Sequence, residues 1–393
     1  MVTTDRSKES RGPLRPQQVV FAELFFDLVF VFVATRLSER VTESLNVVGF
    51  HQSTVLLLAM WLVWYKVAWT TNLYAPTRPA IQLMVIGVTL GILLMAVAVP
   101  GAYGERGPVF ASVYVTIQVI HPLWLVLSRG EDRDTRLLSS RILFWEAIAA
   151  VPWIVGALNQ EARLAWWTAA VGLGFSGIML NYPIPRLGPA RIPGQSVQHE
   201  HLTERYRQAL VIALGDSILT SGFEIAPFGF ERDRTMALLV SFAITVLMWQ
   251  IFFFRAGAAL PVAIASSTSP VDTARLASYA HLIMVIGVIG TSAGDRLIIM
   301  QPLGHTEPSW ILVVLGGPAL FLVGRAVLDY VVFRRVSWSR PIGFLLLATL
   351  APAALRMPPV MVAMVAAAVL AGVAVANVVS WRLFPRAPAP APK

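Results

Sequence analysis

Two carboxylates lie four residues apart in an otherwise apolar stretch near the start of the chain. The stretch runs Glu23-Leu-Phe-Phe-Asp27-Leu-Val-Phe-Val-Phe-Val33. At about 3.6 residues per turn, this spacing places both acids on one face of a helix. An acid at membrane depth is costly unless it faces a protein interior or a water-filled cavity. The pair therefore predicts an interior-facing polar site, where the acids could bind an ion or exchange protons.

A second polar stretch near the middle of the chain joins a group of ionisable side chains to a buried acid. Its candidate site residues are His201, Glu204, Arg205, Asp216 and Ser217. In a continuous helix, Asp216 would lie about 18 Å from Glu204, so one acid would be near the inner membrane face and the other toward the outer half. Small residues beside Asp216 allow close helix packing, and Ser217 could hydrogen-bond a carboxylate. We expect His201, Glu204 and Arg205 to form the cytoplasmic mouth of a polar cavity.

Other charged residues in apolar stretches have simpler structural explanations. Lys66 is late in its apolar run, so we expect it to extend to the interface rather than pair with an acid. Arg255 is also a candidate site residue, because it could pair with an acid of the first span, and it could equally extend to the interface. Arg325 and Asp329 are four residues apart and can neutralise each other, and Asp295–Arg296 is expected to be an interfacial pair.

The whole-chain composition is that of an integral membrane protein. Of the 393 residues, 56% are hydrophobic and 13% are charged, and the mean hydropathy is +0.67. Soluble domains contain about 25% charged residues. The absence of cysteine excludes disulfides and thiolate metal sites. The net charge of +9 fits the Lys and Arg excess of cytoplasmic loops, so the expected partner is the lipid bilayer and not nucleic acid.

The apolar runs predict an all-α protein with about twelve transmembrane helices, because about 20 apolar residues cross a bilayer. About ten is the second choice, since the first, seventh and eleventh runs are short or polar. Most Lys and Arg residues fall in segments that an even number of spans places on one side, so both termini are expected in the cytoplasm. The predicted regions are a cytoplasmic tail (1–17), a first membrane half (18–182), a cytoplasmic linker (183–205), a second membrane half (206–384) and a disordered Pro- and Ala-rich tail (385–393).

The two membrane halves carry signs of an internal duplication, with about six spans in each half and both halves in the same orientation. The sequence of Met84–Val88 in the third apolar run recurs as Met284–Val288 in the ninth. The pair Met60–Trp61 of the second run recurs as Met248–Trp249 in the eighth. The matched runs keep their order, which favours a repeat.

Two motifs resemble the signature stretches of a known family. The motif at Glu23–Phe32, and the run His201-x-x-Glu-Arg-Tyr206 leading to Leu214-Gly-Asp-Ser-Ile218, are similar to those of the bacterial low temperature requirement protein A (LtrA) family. The Trp-rich second apolar run is also similar, and the resemblance covers nearly the whole chain. Two positions depart from the family pattern, since Tyr206 stands where Phe is expected and Asp216 where Glu is expected. The resemblance implies a multi-pass protein of the bacterial plasma membrane that is linked to growth in the cold, and it implies no particular reaction.

Secondary transport, or ion and proton permeation, is the function that these features favour most, with an unidentified small solute or ion. Glu23, Asp27 and Asp216 would line a polar cavity between the halves. One alternative is a membrane-embedded enzyme that uses the same acids on a lipid or small molecule. Another is a structural or sensory protein of cold-stressed membranes, in which the acids only pair helices. Acids grouped at one membrane face would favour the enzyme, and acids near mid-depth would favour the transporter.

Enzyme and cofactor motifs are absent from the sequence. It has no phosphate-binding Gly loop, no HExxH and no Gly-x-Ser-x-Gly. His199 and His201 are two positions apart and do not share a helix face, so they are a weak metal signal. His121 and His281 are expected to be hydrogen-bonded core residues rather than haem ligands. We therefore expect no catalytic residue, no metal and no cofactor, and enzymatic activity is the less favoured expectation.

Overall fold

The computed structural model describes residues 21–74, 76–127, 133–190, 197–254 and 256–383. The two predicted terminal tails and Arg255 lie outside these residues. The helices are α1 (Phe21–Glu43), α2 (Val47–Leu73), α3 (Pro79–Ala98, extended by a 3-10 turn at Val99–Gly101), α4 (Gly107–Leu127), α5 (Arg133–Leu158), α6 (Arg163–Met179), α7 (His199–Ile225), α8 (Arg232–Phe253), α9 (Ala256–Ala265), α10 (Pro270–Met300), α11 (Pro308–Val314), α12 (Gly316–Phe333), α13 (Ser339–Ala354) and α14 (Pro359–Leu383).

Nine helices in the described part of the chain are long and apolar enough to cross a membrane. They comprise α2, α3, α4, α5, α7, α8 with α9, α10, α11 with α12, and α14. The all-α membrane fold is therefore confirmed, while the number twelve stays a prediction. The three remaining predicted spans correspond to α1, which carries Glu23, Asp27 and Arg36, and to α6 and α13, which have 17 and 16 residues.

Helix α7 starts earlier than the sequence indicates. The predicted linker 183–205 lies wholly outside the two membrane halves, but α7 begins at His199, so the end of that segment is helical. Asn72 of α2 fixes this start, because its Nδ2 donates to Gln198 O (2.7 Å) and its Oδ1 accepts from Gln198 N (3.1 Å). His201 and Arg205 consequently belong to the first two turns of α7 and lie within the helix bundle.

Helices α1, α7 and α10 run parallel and pack against one another. Glu23 near the start of α1 contacts His201 near the start of α7, and Thr35 further along α1 contacts Asp216 further along α7. Asp216 also contacts Ser292 in the second half of α10. This common direction agrees with the predicted order of spans, in which these helices are the first, seventh and ninth.

The same helix neighbours occur in both halves of the molecule. The corresponding contacts are α1 with α3 and α7 with α10, α3 with α4 and α10 with α12, α4 with α5 and α12 with α13, α5 with α6 and α13 with α14, and α2 with α6 and α8 with α14. Two copies of one six-span unit would have this arrangement. The correspondence favours the predicted duplication independently of the repeated sequences.

Glycines bring α10 and α12 into close contact beside the interface of α1, α7 and α10. A Cβ added to Gly287 would lie 2.5 Å from the backbone N of Phe321, and one added to Gly324 would lie 2.7 Å from the backbone N of Met284. Small residues permit such backbone approach between membrane helices. The glycines therefore allow α12 to pack tightly against α10, and this packing keeps α10 in a fixed position beside α1 and α7.

Candidate functional site

Four ionisable side chains meet between α1 and α7, and we call them the ionic cluster: Glu23, Asp27, His201 and Arg205. Each is at most 1% exposed. Glu23 Oε2 lies 3.1 Å from His201 Nε2, and Glu23 Oε1 lies 3.7 Å from Arg205 Nε. Arg205 Nη1 donates to Asp27 Oδ2 and also to the backbone O of Glu23 (3.2 Å). Both helices contribute a pair of residues four positions apart, so two facing stripes of charge meet.

Helix α2 completes the surroundings of the ionic cluster. Trp64 Nε1 donates to Asp27 Oδ1 (3.1 Å), and Asn72 Nδ2 lies 3.5 Å from His201 Nδ1. The Arg205 guanidinium lies 5.8 Å from the ring of Phe26 and 5.9 Å from the ring of Trp64. Hydrogen bonds and aromatic faces are what buried charges require in place of water.

The charges of the ionic cluster balance only when it holds a proton. Arg205 stays charged, while Glu23 and Asp27 contribute two negative charges when ionised. One proton, on His201 or on a carboxyl group, makes the cluster neutral, and its loss leaves one net negative charge. A buried net charge is expensive. The arrangement is therefore suited to binding and releasing a proton or another small cation.

Asp216 forms a separate polar site with three hydroxyl groups, which we call the Asp216 cluster. Its Oδ1 accepts from Thr35 Oγ1 (2.7 Å) and more weakly from Thr220 Oγ1 (3.4 Å), and its Oδ2 accepts from Ser292 Oγ (2.8 Å). Asp216 is fully buried and forms no ion pair with any described residue. Asp295 of α10 is also buried and interacts electrostatically with Asp216. No cation binds Asp216 directly within the described residues, and Arg296 interacts with it only electrostatically, so the site can carry an exchangeable proton.

An apolar section of the same interface separates the two clusters. Its side chains enclose a cavity of about 30 Å³ and include Phe30, Met60, Trp61, Ala213 and Ile289. This volume has room for about one or two water molecules. From the helix rise, the clusters are about 12 Å apart along α1 and about 16 Å apart along α7. We call this section the apolar barrier.

A groove leads from the surface to the ionic cluster. It has a volume of about 730 Å³, and Asp27 is the one member of the cluster that lines it. Glu204 and Arg207 also line the groove and pair with each other at 3.0 Å, with side chains 46% and 27% exposed. Phe253 and Gly257 form part of the wall contributed by α8 and α9. The groove gives a route by which a proton or a small molecule reaches Asp27.

The structure brings together four of the residues that the sequence singled out and separates the others. Glu23, Asp27, His201 and Arg205 form one cluster, while Asp216 belongs to another. The predicted cytoplasmic mouth is wrong for His201 and Arg205, which are buried because α7 starts early, and it fits only Glu204, which lies on the groove. Ser217 is buried, but its hydroxyl makes no hydrogen bond to a described residue and does not bind Asp216. Arg255 is outside the described residues.

Two further predictions about charged residues are wrong, and two are confirmed. Lys66 does not reach the interface, because its Nζ pairs with buried Glu146 of α5. Asp295–Arg296 is not a pair, since Arg296 instead contacts Glu39 (3.4 Å) and Glu224 (3.2 Å). Arg325 does pair with Asp329, at 2.5 Å. The two core histidines are hydrogen-bonded as expected, to Thr70 Oγ1 for His121 (3.0 Å) and to Ala277 O for His281 (2.7 Å).

Several residues of the two clusters were not predicted from sequence. Trp64, Thr35 and Ser292 each bind a site carboxylate, but Thr and Ser in apolar runs usually bond to their own helix, so their presence is a weak signal. The Trp-rich second run was a stronger signal, because Trp64 is at the middle of α2 rather than at an interface. Within the described residues, no group of three or more His, Cys, Asp or Glu has a geometry that could hold a metal ion.

Comparisons with known proteins agree with the sequence motifs. Residues 18–375 match the family described as bacterial low temperature requirement A protein, LtrA. An uncharacterized protein of Rhizobium meliloti (strain 1021) is 31% identical over 330 residues, which cover 83% of this chain and 81% of the relative. No solved structure matches the chain. The chain therefore belongs to the bacterial low temperature requirement A protein family.

Proposed function

We propose that this protein is a secondary transporter or a proton- or ion-permeation protein, whose path follows the interface of α1, α7 and α10. One observation carries the proposal: two buried acidic clusters lie at different depths of the same interface, with the apolar barrier between them. Intramembrane ionisable residues mark ion and proton pathways in many membrane proteins. The structure then corresponds to a closed state, because the apolar barrier leaves no continuous polar path.

The ionic cluster and the Asp216 cluster have different roles in this proposal. The ionic cluster exchanges a proton or cation with the groove through Asp27, and Arg205 limits the negative charge that accumulates there. The Asp216 cluster receives the ion on the far side of the apolar barrier, where hydroxyl groups replace water as ligands. Passage requires the barrier to widen or fill with water, which a small movement between α1 and α7 would produce.

A membrane-embedded enzyme is the second candidate, because one observation favours it. The ionic cluster lies in the first two turns of α1 and α7, close to one membrane face, and a groove large enough for a small molecule reaches Asp27. Acids grouped at one face are what that alternative predicts. The position of Asp216 in the second half of α7 supports transport instead. Asp216 lies beyond the apolar barrier, so it could not contact a substrate bound in the groove.

Proton flux in proteoliposomes tests the transport proposal, and Asp216→Asn is the decisive variant. Asn has the size of Asp, its Oδ1 can still accept from Thr35 Oγ1, and its Nδ2 can donate to the hydroxyl oxygen of Ser292, so the helices should pack as before. It cannot lose a proton at neutral pH. Under an imposed pH gradient, we expect flux above that of empty liposomes for the wild type and a loss of that excess in Asp216→Asn.

The matched control is Asp134→Asn, which makes the same change at an exposed position of α5. We expect this variant to keep wild-type flux. Thermal unfolding and gel filtration of all three proteins establish that the fold is intact. Wild-type flux in Asp216→Asn, or wild-type vesicles no more permeable than empty ones, would contradict the proposed path.

The cellular setting is also part of the proposal. We place the protein in the bacterial plasma membrane as a multi-pass protein with both termini in the cytoplasm, and we connect it with growth in the cold. The family name and the Lys and Arg distribution support this setting. The ionic cluster and the groove are then on the cytoplasmic side, and the Asp216 cluster is toward the outside.

A further inference from the structure

A large cavity lies between α12, α13 and α14, away from the interface of α1, α7 and α10. Its volume is about 1020 Å³. One end is polar and the other is lined by aliphatic side chains and glycines, and these apolar lining residues include Leu346, Leu350, Val369, Gly372, Val373 and Ala376. A cavity with a polar end and an apolar slot between two membrane helices has the shape of an amphiphile.

The polar end of this cavity has an excess of positive charge. Buried Arg325 and Arg340 share one carboxylate, since Asp329 lies 2.5 Å from Arg325 Nη1 and 3.3 Å from Arg340 Nε. Arg335 lines the same end and is exposed. Three guanidinium groups therefore face one carboxylate, which leaves two positive charges for an anionic ligand to neutralise.

A buried amide without a partner also points into the polar end. Asn377 of α14 is 4% exposed and lines the cavity, and its Oδ1 accepts from Arg340 Nη1 and from Ser339 Oγ. Its Nδ2 makes no hydrogen bond to any described residue. A buried donor left without an acceptor is costly, so the site lacks the hydrogen-bond acceptor that a phosphate oxygen would supply.

The mouth of the cavity has features of a membrane interface. Trp338 lines it and is 80% exposed, as is typical of the aromatic residues at a membrane interface. The chain turns sharply just before it, at Arg334, whose φ of 54° is left-handed. This end of α12 lies on the same side as the start of α7, because α12 runs antiparallel to α10. That side is the one predicted to be cytoplasmic.

We propose that this cavity binds an anionic phospholipid, with the phosphate at Arg335, Arg340 and Asn377 and an acyl chain in the slot between α13 and α14. Basic pockets between membrane helices on the cytoplasmic side bind such headgroups in other proteins. The site is independent of the proposed transport path. A zwitterionic lipid fits less well, because it brings a positive charge to a site that already has an excess of positive charge.

Lipid titration of the delipidated, detergent-purified full chain tests this proposal, with native mass spectrometry as the readout. We expect phosphatidylglycerol to bind more tightly than phosphatidylcholine. Arg335→Gln should weaken phosphatidylglycerol binding about five-fold, the effect of one exposed basic residue near a lipid headgroup. Arg334→Asn is the matched control, because Arg334 does not line the cavity and Asn tolerates a left-handed backbone. It should leave binding unchanged.

A second pair of variants tests the acyl slot. A Cβ added to Gly372 meets no atom within 4 Å, so the side chain of Gly372→Leu begins in open space and is expected to occupy the slot that Gly372 lines. We expect this variant to lose phosphatidylglycerol binding. Gly87→Leu adds the same side chain at another helical glycine with open space around it, and binding should persist. Both variants should unfold at wild-type temperatures.

Four results would overturn the proposal. The first is equal binding of phosphatidylglycerol and phosphatidylcholine, and the second is unchanged phosphatidylglycerol binding in Gly372→Leu. The third is an affinity for inorganic phosphate equal to that for phosphatidylglycerol, which would make the site one for a free anion. The fourth concerns residues 384–393, which follow α14. If deleting them were necessary for phosphatidylglycerol to bind, the occupant of the cavity would be the chain's own tail.

Discussion

Arg205 is the residue on which the ionic cluster depends. Its guanidinium contacts both carboxylates of α1 and lies 5.8 Å and 5.9 Å from two aromatic rings, with no exposure to solvent. Without it, Glu23 and Asp27 would be two buried acids with only His201 as a cationic partner. Arg205 therefore contributes more to the pairing of α1 with α7 than any other side chain of the ionic cluster.

We predict that Arg205→Gln lowers the free energy of unfolding by about 3–5 kcal/mol, because removing one partner leaves buried charges uncompensated. Thermal unfolding of the purified protein in detergent measures the effect. Arg36→Gln is the control, since Arg36 of the same α1 helix pairs with Glu39 at a partly exposed position. We expect that change to cost about 1 kcal/mol or less. Equal melting temperatures for the two variants would contradict the central role of Arg205.

Residues within one helix were easier to predict than their partners in other helices. The inward orientation of Glu23 and Asp27 follows from local periodicity, and the structure agrees with it. Arg205 and Asp27 are 178 residues apart, so no local pattern indicates that they meet. The prediction that Lys66 extends to the interface was wrong for the same reason. Its partner Glu146 is 80 residues away, and periodicity gives no information about which helix packs alongside.

At the level of helices, close packing between α10 and α12 determines how firmly the site is held. Helix α10 supplies Ser292 to the Asp216 cluster and Ile289 to the apolar barrier. Its opposite side meets α12 at Gly287 with backbone contact. Glycine there is a structural requirement that the apolar sequence alone did not reveal, because Met84–Val88 has an equivalent glycine with open space around it.

We predict that Gly287→Ala destabilises the protein by about 1–3 kcal/mol, since the new methyl group would overlap the backbone N of Phe321 and force α12 outward. Gly172→Ala in α6 is the control, because a Cβ there meets no neighbour. Alanine favours helix by up to about 1 kcal/mol over glycine, so the control should be neutral or slightly stabilising. Thermal unfolding distinguishes the two outcomes, and a stable Gly287→Ala would mean that the helices are more loosely packed than described.

The prediction of helix boundaries was less successful where a tertiary contact decides them. Apolar length predicted the long helices of the bundle, including α3, α4 and α10. The predicted linker extends to residue 205 while α7 begins at His199, because the first two turns of α7 are rich in charged residues, which are typical of a loop. The contact between Asn72 and Gln198 that stabilises the helical start comes from α2, and it has no signature near residue 198.

For the molecule as a whole, the distribution of Lys and Arg predicts the orientation in the membrane, with both termini in the cytoplasm. The parallel directions of α1, α7 and α10 are consistent with an odd place for each in the order of spans. They do not distinguish the two faces of the membrane. The matched helix contacts of the two halves are likewise independent of which face is cytoplasmic.

Single-cysteine labelling determines the orientation, since the natural chain contains no cysteine. We predict that a membrane-impermeant maleimide labels Asn159→Cys in intact cells and labels Thr268→Cys only after the membrane is opened. Both positions are exposed, between α5 and α6 and between α9 and α10 respectively. The reverse pattern would contradict the predicted cytoplasmic termini, and labelling of both in intact cells would contradict the three membrane crossings expected between these two positions.

The pairing of α1 with α7 also has a consequence for biogenesis. Ribosomes add about 5–20 residues per second, so the 178 residues between Asp27 and Arg205 take roughly 9–36 s to synthesise. During that interval the two acids of the first helix have no permanent counter-ion. The first helix must therefore either enter the bilayer with its acids protonated or stay at the insertion machinery until the seventh helix supplies Arg205.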